Sequence, residues 1–395
     1  PESQEEKVKN SGKNSDAGSP PRFIMLGGFL GAGKTTTVLR LAAHFQSQGR
    51  RVGLITNDQA HGLVDTALLE ELNLPVEEIA GGCFCCRSEN LVEALRRLSA
   101  ESQPEIFIAE PVGSCTDLVA TVTLPLQSIY RQGYEMAPYV VLVDPFRALQ
   151  TLGVEGEPVF SSDVNYIYRK QLEEAEVIAI NKVDVLPPAR LASLREALER
   201  QYPEARIIEI ASRPGRGMES LFEILSTEAR PPSRLMEVDY ERYGIGEALL
   251  GWVNVEVELE STHSDDPSEV ESIKSDEWLL RLAAEVQAAL SGRRIEIAHL
   301  KLCLAGTDHE LSAVQSVSNT EEPKMTRNAD APFTGGKLLI NLRGEADPDI
   351  LLAEVFKALS EAVERHPDVK LEHVRSEHFR PAQPVPTHRV AKIIS

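Results

Sequence analysis

From Arg22 onward, short apolar runs alternate with amphipathic stretches. The runs cover residues 23–26, 52–56, 106–109, 139–143, 177–180 and 207–210. They are short, continuous and rich in Val and Ile, as expected of strands buried on both faces. Residues 91–98 and 191–198, between them, repeat leucine at helical spacing. Strand and helix in alternation predict an α/β unit with a mainly parallel sheet covered by helices on both sides.

The pattern changes near Leu225, and residues 229–248, with Arg230-Pro231-Pro232, read as a linker. Beyond it, residues 251–260 alternate strictly, with Val253, Val255, Val257 and Leu259 on one face. Trp252, Asn254, Glu256 and Glu258 take the other face. Residues 295–304 and 337–343 repeat the alternation, placing His299, Lys301 and Arg343 on the polar side. Such strands have one covered face. Leucine and valine stripes over 279–290 and 352–363 supply the covering helices, the second capped at Asp347-Pro348. With a last strand at 369–374, the order is that of a smaller α+β, ferredoxin-like domain over 249–378. An interruption at 308–336 is expected to hold a hairpin at 310–317 and a mobile loop. The polar face is expected to be solvated, packed on the first domain, or a docking surface. Residues 379–395, with Pro381, Pro384 and Pro386, read as an extended tail. Residues 1–20, polar and mixed in charge, read as a disordered tail.

A chain of 395 residues exceeds one ordinary domain, consistent with this division. The net charge of −20 argues against a nucleic-acid partner, because phosphate backbones require basic faces. No apolar run is long enough to span a bilayer, and the first residues lack a signal peptide's apolar core. A cytoplasmic location away from membranes is the expectation. Five cysteines, three of them in four residues, suit a metal or redox site better than a disulfide framework.

Gly28-Phe29-Leu30-Gly31-Ala32-Gly33-Lys34-Thr35 lies between a strand and a helix, the context of a phosphate-binding loop. Gly28, Gly31 and Gly33 let backbone N–H groups converge on an anion at a helix N-terminus. Lys34 would reach the outer phosphates and Thr35 would hold Mg²⁺. Asn181-Lys182-Val183-Asp184 follows the 177–180 strand. A carboxylate there accepts two hydrogen bonds from guanine, which adenine cannot offer, so GTP is the expected nucleotide. Ser212 is placed to support the base. Cys83, Cys85 and Cys86 offer three soft ligands suited to Zn²⁺, Cu(I) or Co²⁺, with an open position. His61, water or a nucleotide-dependent residue would be the fourth ligand. A redox couple and buried, inert thiols are the alternatives. Cys115 reads as a small loop residue, Cys303 as a half-exposed strand position, and His373, His378 and His388 as solvated.

These motifs, together with Thr36 and Glu110-Pro111-Val112-Gly113, resemble those of the CobW-like family of metallochaperone GTPases, relatives of the nickel-insertion GTPases for urease and hydrogenase. The resemblance covers roughly residues 21–228. It implies a P-loop GTPase domain, GTP hydrolysis, and delivery of Zn²⁺ or Co²⁺ to a client. It also implies a first switch at 57–65. There Asp58 and His61 stand where many members carry Glu, and the Asn57-Asp58 pair is closer to the nickel-insertion relatives. On this reading Lys34, Asp58 and Glu110 are catalytic, and Thr35, Asp58 and Glu110 hold Mg²⁺. Thr36 joins the nucleotide contacts. The switch segment would couple the terminal phosphate to the thiols. Expected partners are a client metalloprotein or a cobalamin-related enzyme, and a second copy of the chain in a homodimer. Two rival readings are a GTPase that gates a cobalamin enzyme and a zinc buffer or sensor with a vestigial nucleotide site.

Overall fold

A computed structural model describes residues 20–57, 74–79, 81–130, 133–229, 234–261, 274–306, 310–329, 335–366 and 369–392. Residues 1–19 of the expected 1–20 tail, and Asp58, His61 and Asp65 of the expected switch, lie outside the described residues.

The first domain contains β1 (Arg22–Gly28), α1 (Lys34–Ser47), β2 (Val52–Asn57), β3 (Val76–Ile79), α2 (Ser88–Glu101) and β4 (Ile106–Glu110). A π-helical turn at Val119–Thr123 leads into α3 (Leu124–Ser128). Then come β5 (Glu135–Met136), β6 (Val140–Val143), α4 (Pro145–Thr151), α5 (Ser162–Glu174), β7 (Val177–Ile180), α6 (Pro188–Gln201), β8 (Arg206–Glu209) and α7 (Met218–Thr227). The sheet runs β3-β2-β4-β1-β6-β7-β8, with β5 beside β1, and every pairing is parallel. Apolar side chains fill both faces. That is why its strands read as unbroken apolar runs. Parallel strands also bring their C-terminal ends to one edge. Gly28, Asn57 and Glu110 end their strands there, and Asp144, Asn181 and Ser212 lie just beyond theirs. This is the edge where open α/β sheets bind ligands.

The remainder comprises α8 (Tyr240–Leu249), β9 (Leu250–Ser261), α9 (Ser275–Gly292), β10 (Ile297–Gly306), β11 (Leu311–Ser316), β12 (Lys324–Arg327), β13 (Gly335–Glu345), α10 (Pro348–Glu364) and β14 (Val369–Phe379). The sheet order β12-β11-β10-β13-β9-β14 is antiparallel throughout. Its β9, β10, β13 and β14, with α9 and α10, make the expected ferredoxin-like arrangement. Val253, Val255, Val257 and Leu259 face the two helices, and Asp347 caps α10 by accepting from the Asp349 N–H at 2.9 Å.

Three expectations change. Residues 240–249 are not linker but helix, capped by Asp239 and packed on α5. A Cβ on Gly246 would lie 2.4 Å from the Asp163 carbonyl oxygen, so the two helices meet at backbone distance. Residues 311–316 form one strand that pairs with β10 rather than a hairpin of their own. Cys303 is buried against Ala313 and Leu339, not half-exposed. The polar face is packed on the first domain at its near end, where Trp252, Asn254, Asn341 and Arg343 are buried and Trp252 joins the first domain's core. The tail is extended as expected, yet it is bonded to the first domain. Val390 N–H donates to the Ala120 carbonyl at 2.9 Å, and Arg389 pairs with buried Asp117 at 2.6 Å.

Candidate nucleotide and metal site

Gly33 precedes α1 with φ 92°, a left-handed conformation that glycine adopts without strain. A Cβ there would lie 2.4 Å from Asn181 Nδ2, so the loop and the residue that follows β7 touch directly. Asn181 holds three segments together. Its Nδ2 donates to the Ala32 carbonyl at 2.9 Å, and its Oδ1 accepts from Ser212 N–H and hydroxyl, both at 3.0 Å. Lys182 Nζ donates to the Gly31 carbonyl at 2.9 Å and to Asp144 at 2.7 Å. Burial would raise the Asp144 carboxyl, but Lys182 and Arg147 beside it bring it below the ordinary carboxylate range. The glycine-rich loop is thus pinned from outside before any ligand arrives.

Thr35 Oγ1 donates to Glu110 Oε1 at 3.1 Å, in a buried contact between α1 and the end of β4. Gly31, Gly33, Lys34, Thr35, Thr36 and Glu110 line one cavity. The second domain closes it with His299, Lys301, Asn341 and Arg343. An adjoining cavity shares Gly33 and Thr36 and is lined by Asn181, Lys182, Asp184 and Ser212. Asp184 is exposed within it. Gly28 lies outside both cavities, its Cα facing the Leu142 carbonyl. The second domain makes the first cavity cationic. His299 is held well below the ordinary imidazole range by burial, then by the positive charges of Lys301, Arg343, Lys34 and Arg147. Within a chain of net charge −20, a local cationic cup is a site for an anion. Arg147 also ties the domains together, donating to the carbonyls of Leu30 (2.6 Å), Ala298 (3.2 Å) and Val317. The pattern of residues along the chain gave no sign of this closure.

The thiols follow two glycines at positive φ, Gly81 and Gly82. Cys86 and Arg87 N–H groups donate to the Cys83 carbonyl, at 3.1 and 3.0 Å, curling the chain into a turn before α2. Cys83, Cys85 and Cys86 place their sulfurs within 4.8 Å of one another. Cys83 and Cys85 are buried and Cys86 half-buried. Cys115 was expected to be a bland loop residue; instead its side chain reaches those of Cys83 and Cys85. Hydrogen bonds from Cys115, Cys85 and Cys86 pull the Cys83 thiol well below the ordinary range, and Cys86, donating to Cys83, is pushed up to about 11.

Asn57 joins the two sites. It lines the phosphate cavity, and its side chain holds the cysteine loop. Nδ2 donates to the carbonyls of Ile79 (2.9 Å) and Gly82 (2.7 Å), and Oδ1 accepts from the Phe84 N–H at 2.9 Å. Asn57→Ala is expected to destabilise the protein by about 2–4 kcal/mol, three buried hydrogen bonds being lost. A thermal melt checks this, and an unchanged midpoint would remove Asn57 as the loop's anchor. On the far side the C-terminal segment lies over the cluster. Thr387 donates its N–H to the Cys85 carbonyl at 3.0 Å and its hydroxyl to the Cys86 carbonyl at 2.9 Å, while Val385 N–H bonds the Cys86 sulfur.

Residues 22–209 match the family described as CobW/HypB/UreG, nucleotide-binding domain. Similar curated proteins include the zinc chaperone YeiR of Escherichia coli (strain K12), 27% identical over 186 residues, covering 46% of this chain and 52% of that protein. Another is zinc-regulated GTPase metalloprotein activator 1 of Dictyostelium discoideum, 25% identical over 232 residues, covering 51% and 47%. The matches span about half the length of these relatives. Among solved structures, the Zn(II)-bound YjiA GTPase of E. coli is 16% identical, with a TM-score of 0.36, covering 87% of this chain and 99% of that one.

Proposed function

We propose that this chain, whose residues 22–209 match the CobW/HypB/UreG nucleotide-binding domain family, hydrolyses GTP and uses the cycle to take up Zn²⁺ at its thiol cluster and release it to a client metalloprotein. The observation that carries the reading is Asn57, whose one side chain borders the phosphate cavity and holds the cysteine loop. Among the metals a soft thiol set accepts, Zn²⁺ is favoured over Co²⁺ because the similar curated proteins are named for zinc.

Lys34 and the cations contributed by the second domain offset the charge of a bound triphosphate and of its transition state. The Thr35 hydroxyl and Glu110 carboxylate are hard oxygen donors of the kind Mg²⁺ takes. Mg²⁺ bound there would neutralise phosphate charge. Asp58 would complement them from the segment after β2. Glu110, at the phosphate cavity, is also placed to orient the attacking water. Loss of the terminal phosphate frees the strand ends that carry Asn57 and Glu110, and the thiols move with them. The nucleotide state thereby sets metal affinity, and metal in turn sets nucleotide affinity.

Base recognition gives the test. Asp184 lines the second cavity beside Asn181 and Ser212, where a carboxylate pairs with the two guanine donors. Asp184→Asn is expected to reduce the preference for GTP over ATP by at least about 100-fold. Competition binding of the two nucleotides to wild-type and variant protein measures it. An unchanged ratio would take Asp184 out of the base pocket.

A further inference from the structure

The second domain lays the start of β10 against the glycine-rich loop of the first. A Cβ on Gly31 would lie 2.7 Å from Val317 Cγ1 and 3.4 Å from the Ala298 carbonyl oxygen. Arg147 Nη1 clamps the two segments together, donating to the carbonyls of Leu30 at 2.6 Å and Ala298 at 3.2 Å. The next residue of β10 is His299. Strand alternation puts His299 and Lys301 on one face, and the register sets Arg343 of β13 opposite His299. These three side chains line the cavity that Lys34, Thr35 and Glu110 also line. None of them lines the adjoining cavity of Asn181 and Asp184, where β11 and β12 contribute instead. His299 is thus at the phosphate end of the site and not at the base end.

Two nitrogens of this lining are buried without a hydrogen-bond partner among the described residues, His299 Nε2 and Trp252 Nε1. The Trp252 ring belongs to the first domain's core and stacks on Phe379, with centroids 5.8 Å apart. His299 stands beside Lys301 on the polar face of its strand. Its neighbour Arg343 is already engaged within the sheet. Arg343 Nη1 donates to the Val253 carbonyl at 3.0 Å and to Asn254 Oδ1 at 2.9 Å, and the guanidinium lies over the Trp252 ring at 3.9 Å. A buried polar atom left unpaired costs stability, and a ligand that pairs with it recovers that cost. Phosphate oxygens accept hydrogen bonds, and an imidazole N–H donates them.

We propose that His299 binds the terminal phosphate of the nucleotide through Nε2–H, so that the second domain distinguishes a triphosphate from a diphosphate. The inference rests on the reading that the first cavity takes the phosphates of GTP. Lys34 meets the terminal phosphate from the first domain and His299 meets it from the second. A triphosphate therefore bridges the two domains, and a diphosphate does not.

Competition binding of GDP and of a non-hydrolysable GTP analogue to the full chain tests this. His299→Leu keeps the bulk of the side chain and removes the donor. It is expected to weaken the analogue by about 10–100-fold, the worth of one hydrogen bond to a charged group, and GDP by less than about twofold. His299→Gln keeps an N–H donor and is expected to restore most of the lost affinity. An analogue affinity unchanged in His299→Leu would overturn the proposal, as would an equal loss for both nucleotides. A His299→Gln variant as weak as His299→Leu would overturn it too. So would a His299→Leu chain that fails to fold, since the ring would then serve the sheet and not the ligand. Lys34→Ala separates this failure from that of the parent reading. If Lys34→Ala loses the analogue and His299→Leu does not, only the role of His299 is wrong. If the wild type binds neither nucleotide, both claims fall.

Discussion

Lys34→Ala is expected to lower GTP turnover by at least about 1,000-fold with the fold intact. Lys34 opens α1 directly after the glycine turn and is buried against the phosphate cavity. Lys301 and Arg343 line the same cavity, so the negative charge of a triphosphate would be met there by several cations. Removing Lys34 should spare the fold, since it lines the cavity and is not part of the hydrophobic core. Phosphate release under single-turnover conditions measures the effect, with a thermal melt as the control for folding. Turnover at the wild-type rate would contradict the assignment of the cradle.

Cys85→Ser is expected to weaken Zn²⁺ binding by at least about 100-fold. Cys85 is 1% exposed, and its sulfur lies 2.7 Å from that of Cys83 and 3.7 Å from that of Cys86. Serine nearly matches the thiol in size but gives a hard, weakly acidic oxygen in place of a soft sulfur. The backbone contacts survive, because the Cys85 carbonyl that accepts from Thr387 is unchanged. Competition against a chelator of known affinity gives the constant. If stoichiometry and affinity both persist, the metal sits elsewhere.

The sheet of the first domain was legible because strands buried on both faces leave a continuous apolar signature. The second domain was legible because one covered face forces alternation. What covers the other face was not legible. Trp252, Asn254 and Arg343 sit on polar-side positions whether that side meets water or another domain. The α8 helix was hidden by Gly244 and Gly246, which weaken a helical pattern, although Asp239 is a recognisable cap. The glycine-rich loop and the motif at 181–184 could be read locally, since each is contiguous in sequence and follows a strand. Cys115 could not, because its meeting with Cys83 and Cys85 depends on how strands β2, β3 and β4 neighbour one another in the sheet. One clue existed: it lies a few residues past a strand end, where the other site residues also lie. The contact of Thr387 with the cysteine loop has no periodic signal at all, since 301 residues separate it from Cys86.

The central claim is that phosphate and metal are sensed through shared strand ends at Asn57 and Glu110. Zinc titration of the full chain, once with GDP and once with a non-hydrolysable GTP analogue, tests it most directly. The two affinities are expected to differ by at least about tenfold, a coupling of about 1.4 kcal/mol. Identical zinc affinities in the two nucleotide states would contradict it.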